Sequence, residues 1–225
     1  MAPPSAASVL RAKVVAWCTN QTAAASEYGD ISGWDVSQVT DMAGLFSPLD
    51  EPLEGDYGSY YYEEEAPAPP GVLTTCNPNI GPWGVSSVVN MERMFYGAEA
   101  FNQELGGWNV SSVLNMEGMF SYAEAFNQEL GGWDVSSVVS VEDMFRTAPS
   151  PTAEDMSFYR NLSAWQLPVD VSTDNIFGLG VRPSKVCATP SFWPRFVEET
   201  SNGCLIEPPS PPIPPSLPPP SPPSP

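Results

Sequence analysis

The chain has 225 residues, of which 42% are hydrophobic, 27 are Pro, 27 are Asp or Glu and only 8 are Lys or Arg. The net charge of -19 argues against binding to nucleic-acid backbones or anionic membrane surfaces, both of which attract basic proteins. The sequence contains no His, which excludes Ser-His-Asp and Cys-His catalysis and His-ligated metal sites.

Residues 1–27 are predicted to form a helical cap over the open end of the region that follows. The apolar positions that fit one helical face are Val9, Leu10, Val14 and Trp17. No run of 18 apolar residues occurs, so the sequence predicts no membrane span. No signal peptide is visible in this chain, because Arg11 and Lys13 interrupt its N-terminal apolar stretch.

Residues 28–177 contain an internal repeat with a period of 25. Residues 101–120 read FNQELGGWNVSSVLNMEGMF, and residues 126–145 read FNQELGGWDVSSVVSVEDMF. Five copies can be recognised, with inserted segments after the first copy and before the last. Their equivalent tryptophans, which we expect to be buried and in register, are Trp34, Trp83, Trp108, Trp133 and Trp165.

Each copy has two sets of apolar residues. In the segment from Ser112 to Phe120 the apolar offsets predict a short helix, with Ser111 or Ser112 as its N-cap. Phe101, Leu105 and Trp108 predict a short extended segment before it. One unit cannot bury both sets alone, so the sequence predicts an α/β repeat solenoid of the leucine-rich-repeat type, right-handed, with one short strand and one short helix per repeat.

These motifs resemble those of a known family. The pattern W-D-V-S-S-V-x-x-M-x-x-M-F, preceded by F-N-Q-x-L, is similar to the repeat of the BspA family of leucine-rich repeat surface proteins. The segment from Val9 to Trp34 also resembles the helical segment that precedes such arrays in protist and algal members. The resemblance implies a surface or extracellular binding protein without shared enzymatic chemistry.

An acidic insertion follows the first repeat. Residues 49–70 carry seven acidic residues, four Tyr and no basic residue. The simplest interpretation is a solvated loop. Two alternatives stay open, namely a recognition loop for a basic partner and a site of tyrosine sulfation around Tyr60, Tyr61 and Tyr62.

The four cysteines lie towards the two ends of the repeat region, with none in its regular middle. They are Cys18, Cys76, Cys187 and Cys204, and none of their spacings is CxxC. Their number allows two disulfides in three connectivities, and four free thiols are the alternative. Position favours Cys18–Cys76 and Cys187–Cys204, the second pair closing a C-terminal cap over residues 178–207.

Residues 208–225 form a Pro/Ser-rich tail in which 12 of 18 residues are Pro, and the sequence predicts an extended polyproline II arm. It resembles hydroxyproline-rich wall glycoproteins, with an inert spacer or a ligand for profilin, SH3 or WW domains as alternatives. The predicted glycosylation sites are Ser210, Ser216, Ser221 and Ser224 in this tail, and the sequon residues Asn20, Asn109 and Asn161.

Polar residues also recur with the period. Glu99 pairs with Glu124, and Glu104 with Glu129. Asn102 pairs with Asn127, and Gln103 with Gln128; the Asn pair is expected to form an amide ladder at a buried turn. The glutamates are expected to form a solvated acidic ridge. A Ca²⁺ site is the weaker alternative, so the sequence assigns no cofactor or metal ligand.

No catalytic motif is present, and no catalytic residue is assigned. The sequence therefore predicts a non-enzymatic extracellular or cell-surface binding or structural protein. Its solenoid head or acidic Tyr-rich insertion would contact a protein or glycan, and its polyproline arm would contact wall, matrix or fibre components. The alternatives are an intracellular scaffold whose tail binds proline-recognition domains, and a Ca²⁺-dependent adhesion module.

Overall fold

The computed structural model describes residues 5–48, 71–147, 158, 160, 162, 164–171 and 176–177. The acidic insertion, the predicted C-terminal cap and the Pro/Ser-rich tail lie outside these residues. The described chain begins with helices α1 (Ala6–Thr19) and α2 (Gln21–Tyr28) and a 3₁₀ helix (Ile31–Gly33). None of the helices in the described ranges is long and apolar enough to cross a membrane.

The N-terminal segment forms two helices because Asn20 divides it. The Asn20 N–H still donates to the Ala16 carbonyl, while its side-chain oxygen accepts from the Ala23 N–H at 3.1 Å and starts α2. The residues of α1 that are buried against the first repeats are Leu10, Val14 and Trp17. They are three of the four positions expected to share one helical face.

Successive 25-residue units stack through backbone hydrogen bonds. Met91 N–H donates to the Asn115 carbonyl at 2.9 Å, and one unit later Met116 N–H donates to Ser140 at 2.9 Å. Single-residue parallel bridges join Asp41 to Asn90, Asn90 to Asn115, and Asn115 to Ser140. Each unit therefore lies on the next with its equivalent residues in register.

The described repeats contain turns where the sequence predicted a helix between Ser112 and Phe120. The inter-unit bridge at Asn115 also falls in that segment, not in the predicted strand around Leu105, and no strand longer than one residue occurs among the described residues. Two causes are visible. Alternate N–H groups donate to the neighbouring unit instead of to the carbonyl four residues back. One equivalent position of this segment also has a left-handed backbone in each of four units, namely Gly44, Arg93, Gly118 and Asp143.

The core between the turns is built from columns of aromatic rings. One column stacks equivalent phenylalanines of all five units, with centroid separations of 5.2 to 5.7 Å between Phe46, Phe95, Phe120, Phe145 and Phe177. A second stacks Phe101, Phe126 and Phe158 at about the same spacing, 6.1 and 6.2 Å. The apolar periodicity thus arises from stacked turns that share a continuous core.

Candidate interaction surface

The tryptophan column combines packing with hydrogen bonding. Trp83, Trp108, Trp133 and Trp165 are each at most 4% exposed. Each indole N–H donates to a carbonyl of the preceding unit, as Trp133 does to Leu105 at 3.0 Å and Trp165 to Leu130 at 2.8 Å. These residues therefore hold neighbouring units at a fixed distance and do not line a ligand site.

Trp34 differs from the other four. It is only partly buried, and its indole N–H donates to Gly29 within the same segment at 3.2 Å. Its ring stacks on Trp83 with centroids 6.5 Å apart, while Trp17 of α1 meets it edge-on at 6.0 Å. Trp34 is thus in register with the other rings, as expected, but less buried than they are, because it lies at the end of the array beside the cap.

A disulfide joins Cys18 to Cys76, with their Cα atoms 5.5 Å apart. It connects α1 to the unit that follows the acidic insertion, as the distribution of cysteines suggested. Cys76 occupies the position that Phe101 and Phe126 take in later units. Cys187 and Cys204 lie outside the described residues.

The described sequons have different surroundings. Asn20 and Asn109 are both exposed. The Asn20 side chain caps α2, whereas Asn109 lies in a surface turn where its oxygen accepts from the Ser111 N–H at 3.2 Å and hydroxyl at 2.8 Å. This turn, and not a serine N-cap, begins the segment after Trp108. Asn161 and the four tail serines lie outside the described residues.

Aspartates replace Asn109 in two of the equivalent turns, at Asp35 and Asp134. The hydroxyl and N–H of Ser136 donate to Asp134, which lowers the pKa of that carboxyl, and Ser37 has the same effect on Asp35. These hydrogen bonds favour the ionised form. The turns therefore remain negatively charged on the surface.

An asparagine ladder runs along one edge of the units. The Asn102 side-chain oxygen accepts from the Asn127 N–H at 3.0 Å and from the Gln128 side-chain amide at 2.8 Å. Asn77 makes the same contacts with Asn102 and Gln103. The sequence indicated the Asn102–Asn127 rung but missed Asn77, because its unit has no FNQ motif.

Arginines cover both ends of the stacked turns. Arg160 donates to the Asn127 carbonyl at 2.8 Å and pairs with Glu129 at 2.9 Å. At the other end, the Arg11 guanidinium of α1 donates to the carbonyls of Gly44 and Ser47. The Arg11 contacts were not visible in the sequence, since this residue lies outside the period. Arg160 stands where earlier units have Gln103 and Gln128, and its bond to the Asn127 carbonyl repeats that of Gln128 to the Asn102 carbonyl.

The predicted glutamate ridge is solvent-exposed at all four positions, Glu99, Glu104, Glu124 and Glu129. Among the described residues no group of three or more His, Cys, Asp or Glu side chains is arranged to hold a metal ion. The Ca²⁺ alternative therefore gains no support from this part of the chain.

A different pair of columns was missed by the sequence analysis. Val89, Leu114 and Val139 are 39%, 43% and 64% exposed, although their predecessors in the chain are buried. We call these three residues the apolar stripe. A glutamate lies three positions after each residue of the stripe. We call these glutamates, Glu92, Glu117 and Glu142, the acidic row.

In the acidic row, Glu92 has a raised pKa even though Arg93 Nε lies 3.9 Å from its carboxylate. Partial burial, together with the nearby Glu117 carboxylate, raises the pKa of Glu92, and a hydrogen bond from the Asn115 amide at 3.1 Å only partly offsets this. Periodicity was the signal that could have identified these columns. Both columns recur every 25 residues, as the core positions and the FNQ segment do.

Comparison with known proteins identifies the family. A family model described as "Mycoplasma protein of unknown function, DUF285" matches residues 14–59 and 71–179, and the break between the two matched segments falls within the acidic insertion. No curated protein and no solved structure matches the chain. Since the family match covers more than half of the 225 residues, the chain belongs to the DUF285 family.

Proposed function

We propose that this chain is a BspA-like, non-enzymatic repeat solenoid that acts as a binding or structural protein outside the cell or at its surface. Its leucine-rich-repeat type of stacking would provide the rigid head. The observation that carries the proposal is the register of the units, since Asn90, Asn115 and Ser140 are joined in one line of parallel bridges.

Register has a consequence for the surface. Because each side chain recurs in the next unit, groups of one chemical type form lines along the array, such as the apolar stripe and the acidic row. Such lines suit recognition of an elongated partner, which makes several equivalent contacts at once. The disulfide between Cys18 and Cys76 supports an oxidising location.

The segments outside the described residues complete the proposal. The insertion at residues 49–70, with its seven acidic groups, is proposed to contact a basic partner. The tail at residues 208–225 is proposed to be hydroxylated and glycosylated and to connect the head to a wall, matrix or fibre.

Mass spectrometry of the protein purified from its native source tests this proposal. Hydroxyproline or glycan mass on the tail, or an N-glycan on Asn109, is the expected result. Unmodified tail peptides together with reduced Cys18 and Cys76 would contradict it and favour the intracellular scaffold. Partner binding that disappears with a chelator would favour the Ca²⁺-dependent adhesion module instead.

A further inference from the structure

The apolar stripe is an ordered surface feature. The Leu114 N–H donates to the Val89 carbonyl at 2.8 Å, and the Val139 N–H donates to Leu114 at 2.7 Å. The backbone of the three residues is therefore fixed by direct hydrogen bonds between units. Their preceding neighbours Val88 and Val113 are fully buried, so the chain anchors each exposed side chain from within the core.

The acidic row runs parallel to this stripe. Asn115 lies between the two columns, and its side-chain amide donates to Glu92 at 3.1 Å. Its side-chain oxygen accepts from the Glu117 N–H at 2.9 Å, which fixes the backbone of the acidic row as well. A narrow line of aliphatic groups thus lies beside a line of carboxylates over three consecutive units.

The spacing along these lines matches one type of partner. Units joined by parallel bridges repeat at about 4.7–4.9 Å, whereas an α-helix rises about 5.4 Å per turn. A helix laid along the array can therefore present one side chain to each unit, with a mismatch of about 1 Å over three units. An extended strand places same-side residues about 6.6 Å apart and would lose register after one unit.

We propose that the apolar stripe and the acidic row together form a docking site for a cationic amphipathic α-helix of a partner protein. One aliphatic residue per turn packs on Val89, Leu114 or Val139. Lys or Arg side chains on one flank pair with the acidic row, where the buried Arg93 already lies 3.9 Å from the Glu92 carboxylate. This inference rests on the proposed binding function and specifies its partner.

Peptide binding by the full chain provides the test. The probe is a helical Ala/Lys peptide of about 18 residues with one Leu per turn, and the reference is a scrambled peptide of identical composition and charge. Fluorescence anisotropy should show binding to the first peptide at least about tenfold tighter than to the second, because only the first gathers its leucines on one face. Equal affinity for both peptides would overturn the proposal.

Two substitutions locate the site. The residue of the first unit that is equivalent to Leu114 is Thr40. The substitution Leu114→Thr therefore introduces a residue that the fold already contains at this position. It should weaken binding about fivefold. Glu117→Gln should weaken binding at low salt and lose its effect at about 0.5 M salt. The matched control is Glu124→Gln, which removes the same charge from the predicted ridge and should leave the affinity unchanged.

Three outcomes contradict the inference. The first is an equal effect of Glu117→Gln and Glu124→Gln, and the second is unchanged binding by Leu114→Thr. The third is self-association of the protein that Leu114→Thr abolishes, which would make a second copy the occupant. The protein could carry the expected native modifications and still bind both peptides equally. That result would contradict this docking site but not the proposed function.

Discussion

Gly106 shows how closely the units approach each other. A Cβ atom built on Gly106 would lie 2.8 Å from the Glu129 carbonyl oxygen of the next unit, and one on Gly81 would lie 2.7 Å from that of Glu104. Both contacts involve backbone, which cannot move without separating the units. Glycine is needed here for the close approach, since no left-handed backbone angle occurs at either residue.

Gly106→Ala should therefore lower the free energy of unfolding by about 1–3 kcal/mol. The matched control is Gly107→Ala, because a Cβ atom there meets nothing within 4 Å. Chemical denaturation followed by tryptophan fluorescence measures both variants. Equal stability of the two proteins would show that the units do not approach as closely as described.

Replacement of Trp108 tests the interior of the array. The ring is 4% exposed and its N–H donates to Ile80 at 3.3 Å, so Trp108→Ala removes packing and one of the two hydrogen bonds to that carbonyl, which still accepts from the Trp83 N–H at 3.0 Å. The expected loss is about 3–5 kcal/mol in the free energy of unfolding. Trp34→Ala, at the partly exposed end, should cost clearly less. A greater loss at Trp34 would contradict the assignment of Trp108 to the core.

The raised pKa of Glu92 predicts that the stability of the fold depends on pH. Because burial and Glu117 raise its pKa in the folded protein, ionisation destabilises the fold as the pH rises above the usual range of a carboxyl group. Glu92→Gln should therefore gain stability relative to the wild type as the pH rises from about 3 to about 7, even though it loses the ion pair with Arg93, whose Nε lies 3.9 Å from the Glu92 carboxylate. Gln can still accept the hydrogen bond from the Asn115 amide.

The control for this change is Glu99→Gln, which removes one charge from an exposed position. Thermal unfolding at both pH values compares the two variants with the wild type. A stabilisation by Glu92→Gln that persists in acid would show that ionisation is not its cause.

At the scale of elements, the N-terminal cap is attached to the repeats at two points. The disulfide fixes α1 near its C-terminus through Cys18, and Arg11 in the same helix donates to the turn carbonyls of the first unit. The buried face of α1 covers the end of the core between them. The cap and the first units are thus expected to unfold together.

Removing the disulfide should uncouple them. The combined substitution Cys18→Ser and Cys76→Ser opens a link between residues 58 positions apart and should cost about 2–4 kcal/mol. Hydrogen exchange should then show loss of protection concentrated in α1 and α2. Unchanged protection in both helices would mean that packing alone holds the cap.

The equivalent residues of the units could be predicted from the sequence because they recur every 25 residues, whereas contacts without this period could not. The period of 25 placed Trp108 and Trp133 in equivalent positions and paired Asn102 with Asn127. It could not distinguish a helix from stacked turns, because both give the same apolar spacing. The difference depends on whether N–H groups such as that of Met116 bond within the unit or to the next unit, and this is decided only by tertiary packing.

The end contacts were beyond prediction for another reason. Arg11 occurs once and donates to backbone carbonyls, which carry no sequence signature. Arg160 replaces the Gln of the earlier units, so its bond to the Asn127 carbonyl does not follow from the FNQ motif. The apolar stripe was accessible in principle, since Val89, Leu114 and Val139 share the period. An exposed valine next to a buried one, however, looks the same in the sequence as two adjacent core residues.

Across the whole array, the units are interchangeable in their packing. Phe95 stacks on Phe120 at 5.2 Å, and Phe120 stacks on Phe145 at 5.7 Å with the same parallel geometry. Removing one complete unit should therefore leave its two neighbours able to pack directly on each other. In an array of this kind, stability is approximately a sum of unit and nearest-neighbour terms.

Deletion of residues 101–125 is the most direct test. It joins Ala100 to Phe126, the same junction that occurs naturally at Ala125 and Phe126, and brings Phe95 next to Phe145. We predict a folded protein with one cooperative transition and a smaller denaturant m-value, measured by urea unfolding. Deletion of residues 101–124, which is one residue out of register, should abolish cooperative unfolding. Equal behaviour of the two deletions would contradict the stacking of equivalent residues in register.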